Sequence, residues 1–133
     1  MLSRADIMAE DDAWAIVLDL PRPPSVNRFM ARLGNKSPQV KAWTAEADYQ
    51  FYAARAARRG TEREIVPIAG LFEAQFIFQR SGRRGDIDNR VKPLLDWLQR
   101  VGLIENDAMC ERLVEEWGKV PLGVQVRLRE WVP

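Results

Sequence analysis

The sequence predicts an α+β fold in two layers, a mixed β-sheet with helices packed on one face. Two observations lead there. Segments with period-2 and period-3.6 hydrophobic patterns alternate in the order β-α-β-α-β-β. The chain has 133 residues, 47% hydrophobic and 29% charged, which suits one globular domain and disfavours wholesale disorder. A mobile acidic extension is expected over 1–12 and a single domain over 13–133.

Trp14, Ile16, Leu18 and Leu20 alternate with Ala15, Val17 and Asp19, which predicts a first strand with its better face on a core. Pro21, Pro23 and Pro24 end it, because proline lacks the ladder donor. A basic loop to Lys36 follows. Ser37-Pro38 is a helix start, and Val40, Trp43, Ala47, Phe51 and Ala54 form one helical stripe closed by Gly60. Leu71 to Gln79 is the clearest strand, with Phe72, Ala74, Phe76 and Phe78 on one face and Glu73, Gln75 and Gln79 on the other. A basic loop, 80–85, leads into a second helix. Its stripe is Val91, Leu94, Leu95, Leu98 and Val101, and Gly102 closes it. Pro93 must lie near the first turn, which puts the start at Asp88 or Asn89. Residues 110–117 and 124–130 read as two strands, expected to form a hairpin turning at Pro121-Leu122-Gly123.

Two absences narrow the chemistry. There is no histidine and one cysteine, Cys110. Zinc sites and imidazole-assisted nucleophiles are therefore excluded in effect, and so is an intramolecular disulfide. A metal enzyme of this composition must use oxygen ligands and a hard ion, Mg²⁺ or Mn²⁺. No stretch approaches the roughly 20 apolar residues of a membrane span. The first dozen residues lack the apolar centre of a secretory signal, so no membrane association and a cytoplasmic location are expected.

The net charge of +1 does not by itself announce a nucleic-acid binder. Its distribution says more. Residues 1–21 carry five acids and one base, so the remainder carries net +5, and 16 of the 20 bases are arginine. Arginine presents a planar fork that matches phosphate oxygens.

The segment with most chemistry is Asp86-Ile87-Asp88-Asn89-Arg90-Val91-Lys92. In extended backbone Asp86 and Asp88 project to the same side, just before a helix N-terminus that favours negative charge. Adjacent carboxylates repel, and a divalent cation removes that penalty. Lys92, one turn in, can reach the same place. Asp107 can return beside the helix only if the chain reverses at Gly102. Each residue also has a plainer reading: Asp86 as a partner of Arg83 or Arg84, Asp88 as a helix cap, Lys92 as the i,i+4 partner of Asp96, and Asp107 as a turn residue.

Residues 86–107, DIDNRVKPLLDWLQRVGLIEND, resemble the signature of the RusA-type Holliday junction resolvases. These are small, often prophage-encoded, Mg²⁺-dependent endonucleases. Their pattern is Asp-x-Asp-Asn, a lysine six residues after the first aspartate, a further aspartate four residues on, and a downstream aspartate pair. Pro23-Pro24-Ser25-Val26-Asn27-Arg28 also resembles the family's PPS-x-N-R stretch after the first strand. The likeness runs from about Trp14 to Glu130.

This resemblance implies a RusA-like fold and an endodeoxyribonuclease that resolves four-way branched DNA by paired symmetric nicks in recombination and repair. The family's metal-binding carboxylates match Asp86, Asp88 and Asp107, and its essential lysine matches Lys92. Together these four are the expected catalytic residues. Asn27, Arg28, Arg80, Arg83 and Arg84 are the expected DNA contacts. The implied cofactor is Mg²⁺, with Mn²⁺ as a substitute, and the implied assembly is a homodimer on branched DNA. Trp117, Trp131 and Val132 are candidates either for that interface or for the core. One departure stands out: where the family often has two adjacent aspartates, this chain has Asn106-Asp107. The loss of one charge there leaves a non-catalytic junction-binding module as the alternative.

Overall fold

The computed structural model describes residues 13–25, 38–80 and 88–133, with Asp88 described by its backbone alone. The extension expected over 1–12 lies outside the described residues. The elements are β1 (Ile16–Leu20), α1 (Pro38–Arg58), β2 (Phe72–Gln79), α2 (Asp88–Arg100), a 3₁₀ turn (Asp107–Met109), β3 (Cys110–Gly118) and β4 (Val124–Glu130). They form one four-stranded sheet in the order β1-β4-β2-β3. β4 runs antiparallel to both β1 and β2, whereas β2 and β3 are parallel. The fold is therefore α+β with a mixed sheet, as the alternating patterns predict.

The inner face follows from period-2 patterning. Leu18 is opposite Val126, and Val126 opposite Phe76, so Ile16, Leu18, Leu20, Val124, Val126, Leu128, Ala74, Phe76 and Phe78 form a continuous buried surface. The buried stripes of both helices join it, Val40, Trp43, Ala47 and Phe51 from α1 and Val91, Leu94, Trp97 and Leu98 from α2. Trp97 pins the helices together. Its ring meets Trp43 and Phe51 edge-on, with centroids 6.2 and 5.8 Å away, and its Nε1 donates to Asp48 Oδ1 at 2.9 Å. The same Asp48 oxygen accepts from Arg100 at 2.5 Å. Partly buried Trp117 packs against this core, Trp131 is half-buried and Val132 is exposed.

The expected hairpin is not formed. β3 and β4 lie on opposite sides of β2, and the connection between them steps over the end of that strand. Gln79 holds it there: its backbone N–H donates to Gly123 O at 2.9 Å, and its side chain accepts from the Val120 amide at 3.0 Å. A Cβ at Gly123 would run into the Arg22 backbone, so only glycine fits this crossing. Burial explains the order. Val124, Val126 and Leu128 are fully buried and Arg127 nearly so, which suits a central strand, whereas β3 carries Glu111, Arg112, Glu115 and Glu116 and suits an edge. β1 is the other edge, where the Arg58 guanidinium donates to Val17 O at 2.7 Å.

The second face of β2 is also buried, although its alternation reads as half-exposed. Glu73 and Gln75 are satisfied by a polar network. Arg129 pairs with Glu73, Gln75 donates to Glu116 at 2.6 Å, and Arg127 reaches Gln75 and Gln125. Among the described residues, no helix is long and apolar enough to cross a membrane.

Candidate functional site

α2 begins at Asp88 and includes Pro93, which forgoes one helical hydrogen bond. Positions 88, 92, 96 and 99 follow one another at i, i+4, i+8 and i+11, one side of the helix. Val91, Leu94 and Leu98 face the core, leaving Lys92, Asp96 and Gln99 exposed.

The third aspartate comes back to this side. Gly102 has φ +83°, a conformation only glycine takes readily. Its amide donates to Gln99 O at 3.1 Å, and the Leu103 amide to Leu98 O at 3.0 Å, so the helix stops and the chain reverses. Leu103 and Ile104 are buried and anchor the return, helped by a hydrogen bond of 2.9 Å from Ile68 N to Leu103 O. Asn106 then caps the 3₁₀ turn, its side-chain oxygen accepting from Ala108 N at 2.8 Å. The Asp107 amide donates to Gln99 Oε1 at 3.2 Å. Lys92 Nζ lies 2.7 Å from Asp107 Oδ2 and 2.9 Å from Asp96 Oδ1.

Charge follows from this geometry. The hydrogen bond to Asp107, then that to Asp96, pushes the Lys92 pKa up to about 12. The Lys92 ammonium in turn holds the Asp107 carboxyl below the usual carboxylate range. At neutral pH Lys92 is therefore a fixed cation rather than a proton acceptor, and Asp107 is ionised, as a metal ligand must be. Lys92's contribution to stability is complete below its free pKa of 10.5 and is lost as pH rises through about 12. Asp107's contribution is present above 3.8 and is lost as pH falls through its lowered pKa. Water screens the pair, so it is worth only about 0.2–1 kcal/mol.

The segment after β1 is tied to three elements, α2, β2 and α1. Arg90 donates to Pro23 O, Arg22 to Gln79 O at 2.8 Å, and Trp43 Nε1 to Pro21 O at 2.9 Å. The proline-bearing segment after β1 is thus fastened to the start of the helix that carries Lys92. These are the two stretches on which the RusA resemblance rests.

The structure therefore brings Lys92 and Asp107 together and places the backbone of Asp88 one turn before Lys92 on the same helix side. Asp86, Asn27, Arg28, Arg83 and Arg84 lie outside the described residues. Arg80 is exposed, with its guanidinium 5.9 Å from the Trp117 ring centroid. Among the described residues, no three His, Cys, Asp or Glu side chains form a group that could hold a metal. Asp96 was legible as an i,i+4 partner of Lys92. The holding role of Gln99, the cap role of Asn106 and the tethers from Arg22 and Arg90 depend on contacts that no spacing announces. No family model matches the chain, and no curated protein matches it significantly.

Proposed function

We propose that this protein is a Mg²⁺-dependent, structure-selective endodeoxyribonuclease of the RusA type, cutting four-way DNA junctions by paired symmetric nicks in recombination and repair. The observation that carries this reading is the return of Asp107 to Lys92, fifteen residues away in sequence, at a distance of 2.7 Å. Asp86, Asp88 and Asp107 would hold the ion, with Mn²⁺ as a substitute. The fit rests on an ionised Asp107 and on a chain whose donors are almost all oxygen. A divalent ion there would polarise the phosphoryl oxygen and lower the pKa of a bound water.

The chain's own groups divide the remaining work. The Lys92 ammonium stabilises negative charge developing on the phosphate or the leaving oxygen. Asp96 holds that ammonium in place, and Gln99 holds the Asp107 turn. Arg80, with Asn27, Arg28, Arg83 and Arg84, grips backbone phosphates, which fixes placement without reading sequence. A four-way junction has approximate two-fold symmetry, so two cuts call for two sites, which a cytoplasmic C₂ homodimer supplies.

Asn106 favours a second reading, a module that binds junctions without cutting them. It keeps the cap that aspartate would also provide, but contributes no charge. Incubation with a synthetic four-way junction and a matched linear duplex separates the readings. With Mg²⁺ the junction is expected to be nicked in pairs and the duplex spared. Asp88→Asn is expected to bind the junction without cutting it. Equal cutting of both substrates, or of neither with Mg²⁺ or Mn²⁺, would overturn the nuclease reading. Binding that ignores divalent ions would support the second one.

A further inference from the structure

We infer that the outward side of α1 is a stacking platform for unpaired bases of a single nucleic-acid strand, separate from the Lys92–Asp107 site. α1 buries Val40, Trp43, Ala47 and Phe51, and its solvent side carries two tyrosines among its charged residues. Tyr49 and Tyr52 are 67% and 49% exposed, one turn apart, with small exposed Ala45, Ala53 and Ala56 around them. Large aromatic rings left in water beside small residues offer flat apolar faces with room for a ring to approach.

The charge on this surface selects the occupant. Lys41 and Arg55 are exposed along the same flank as Tyr52, about 21 Å apart along the helix, and exposed Arg59 follows just past its end. The Arg55 guanidinium lies 5.0 Å from the Tyr52 ring centroid, so the cation and this exposed ring present one composite surface. Between Lys41 and Tyr52 lies a cavity of about 300 Å³ lined by Lys41, Thr44, Ala45 and Asp48. The acid in it, Asp48, is already neutralised by Arg100 at 2.5 Å. Even with Glu46, the exposed acid one turn before Tyr49, this side keeps a net positive charge, with π-faces set among the cations. A polyanion with planar bases complements both features, because phosphates meet the cations and bases stack on the tyrosines. An acidic polypeptide would answer the charge alone.

The platform does not depend on the nuclease reading, and its test is separable from it. Binding of a fluorescein-labelled fifteen-residue oligothymidylate is measured by anisotropy in EDTA, so that no metal-dependent cutting intervenes. The wild-type protein is expected to bind it with an affinity that falls with salt. Tyr49→Ala/Tyr52→Ala is expected to weaken binding about tenfold or more, while Tyr49→Phe/Tyr52→Phe stays within about threefold. Both side chains are exposed, so unfolding midpoints of the variants should match the wild type. Failure of the wild type to bind, an unaffected alanine variant, or displacement by polyglutamate as effective as by unlabelled oligothymidylate would overturn the platform. Junction cleavage is assayed in parallel, so a loss there with the binding pattern intact counts against the nuclease and not against this surface.

Discussion

Lys92→Ala is expected to slow metal-dependent junction cleavage by about 10²–10³-fold while shifting the unfolding midpoint by only a few degrees. The two halves of this expectation have different physical origins. Lys92 is exposed and its two partners are surface carboxylates, so losing them costs about 1 kcal/mol at most. On the nuclease proposal the same ammonium would stand beside a carboxylate that holds the metal, where it would meet charge that develops only in the transition state. Because its pKa is pushed up to about 12, the role is that of a cation at every pH of practical use. Lys92→Arg keeps the charge but replaces a compact ammonium with a broad planar fork, so it should restore stability and only part of the rate. Single-turnover cleavage and thermal unfolding of each variant check the pair of expectations. A Lys92→Ala protein that cuts within about threefold of wild type would show that the ammonium has no catalytic role.

Trp97→Ala is expected to be the most damaging substitution to the fold, costing about 3–5 kcal/mol in urea unfolding. Trp97 is 2% exposed and touches both partner rings of α1 edge-on. Truncation opens a cavity between the helices and removes a donor from Asp48. Domains of this size have about 5–15 kcal/mol in total, so the loss is a large fraction of stability. Trp97→Phe keeps one aromatic ring but loses the second ring and the hydrogen bond, and should cost clearly less. Equal effects of the two substitutions would mean that a phenyl-sized ring at this position does not join the helices.

How much was legible in the chain can be seen at individual residues. Period 2 in Ile16–Leu20 and in Phe72–Phe78, and the stripe Val40–Trp43–Ala47–Phe51, mark strands and helix because burial selects side chains one by one along the element. Strand neighbours are a different matter. Nothing local to Val124–Glu130 says that it inserts between β1 and β2, and the expected hairpin failed because short sequence separation between β3 and β4 is not adjacency in the sheet. The burial of Glu73 and Gln75 was hidden for a related reason, since their partners, Arg129, Arg127 and Glu116, come from other strands. At the site, the Lys92–Asp96 spacing was readable on one helix, and Gly102 signalled a reversal. That the reversal delivers Asp107 to Lys92 required the Leu103–Ile104 anchor and the Gln99 contact, which are tertiary.

On this reading, acidic side chains distant in sequence gather around a hard cation next to Lys92. Anomalous scattering from crystals of the wild-type protein soaked in Mn²⁺ checks this. One or two peaks are expected within about 2.0–2.6 Å of carboxylate oxygens of Asp107, Asp86 and Asp88, close to the Lys92 ammonium, and are expected to vanish in Asp107→Asn. A fully soaked crystal with no ion at Asp107, or with the ion held by carboxylates elsewhere, would contradict it.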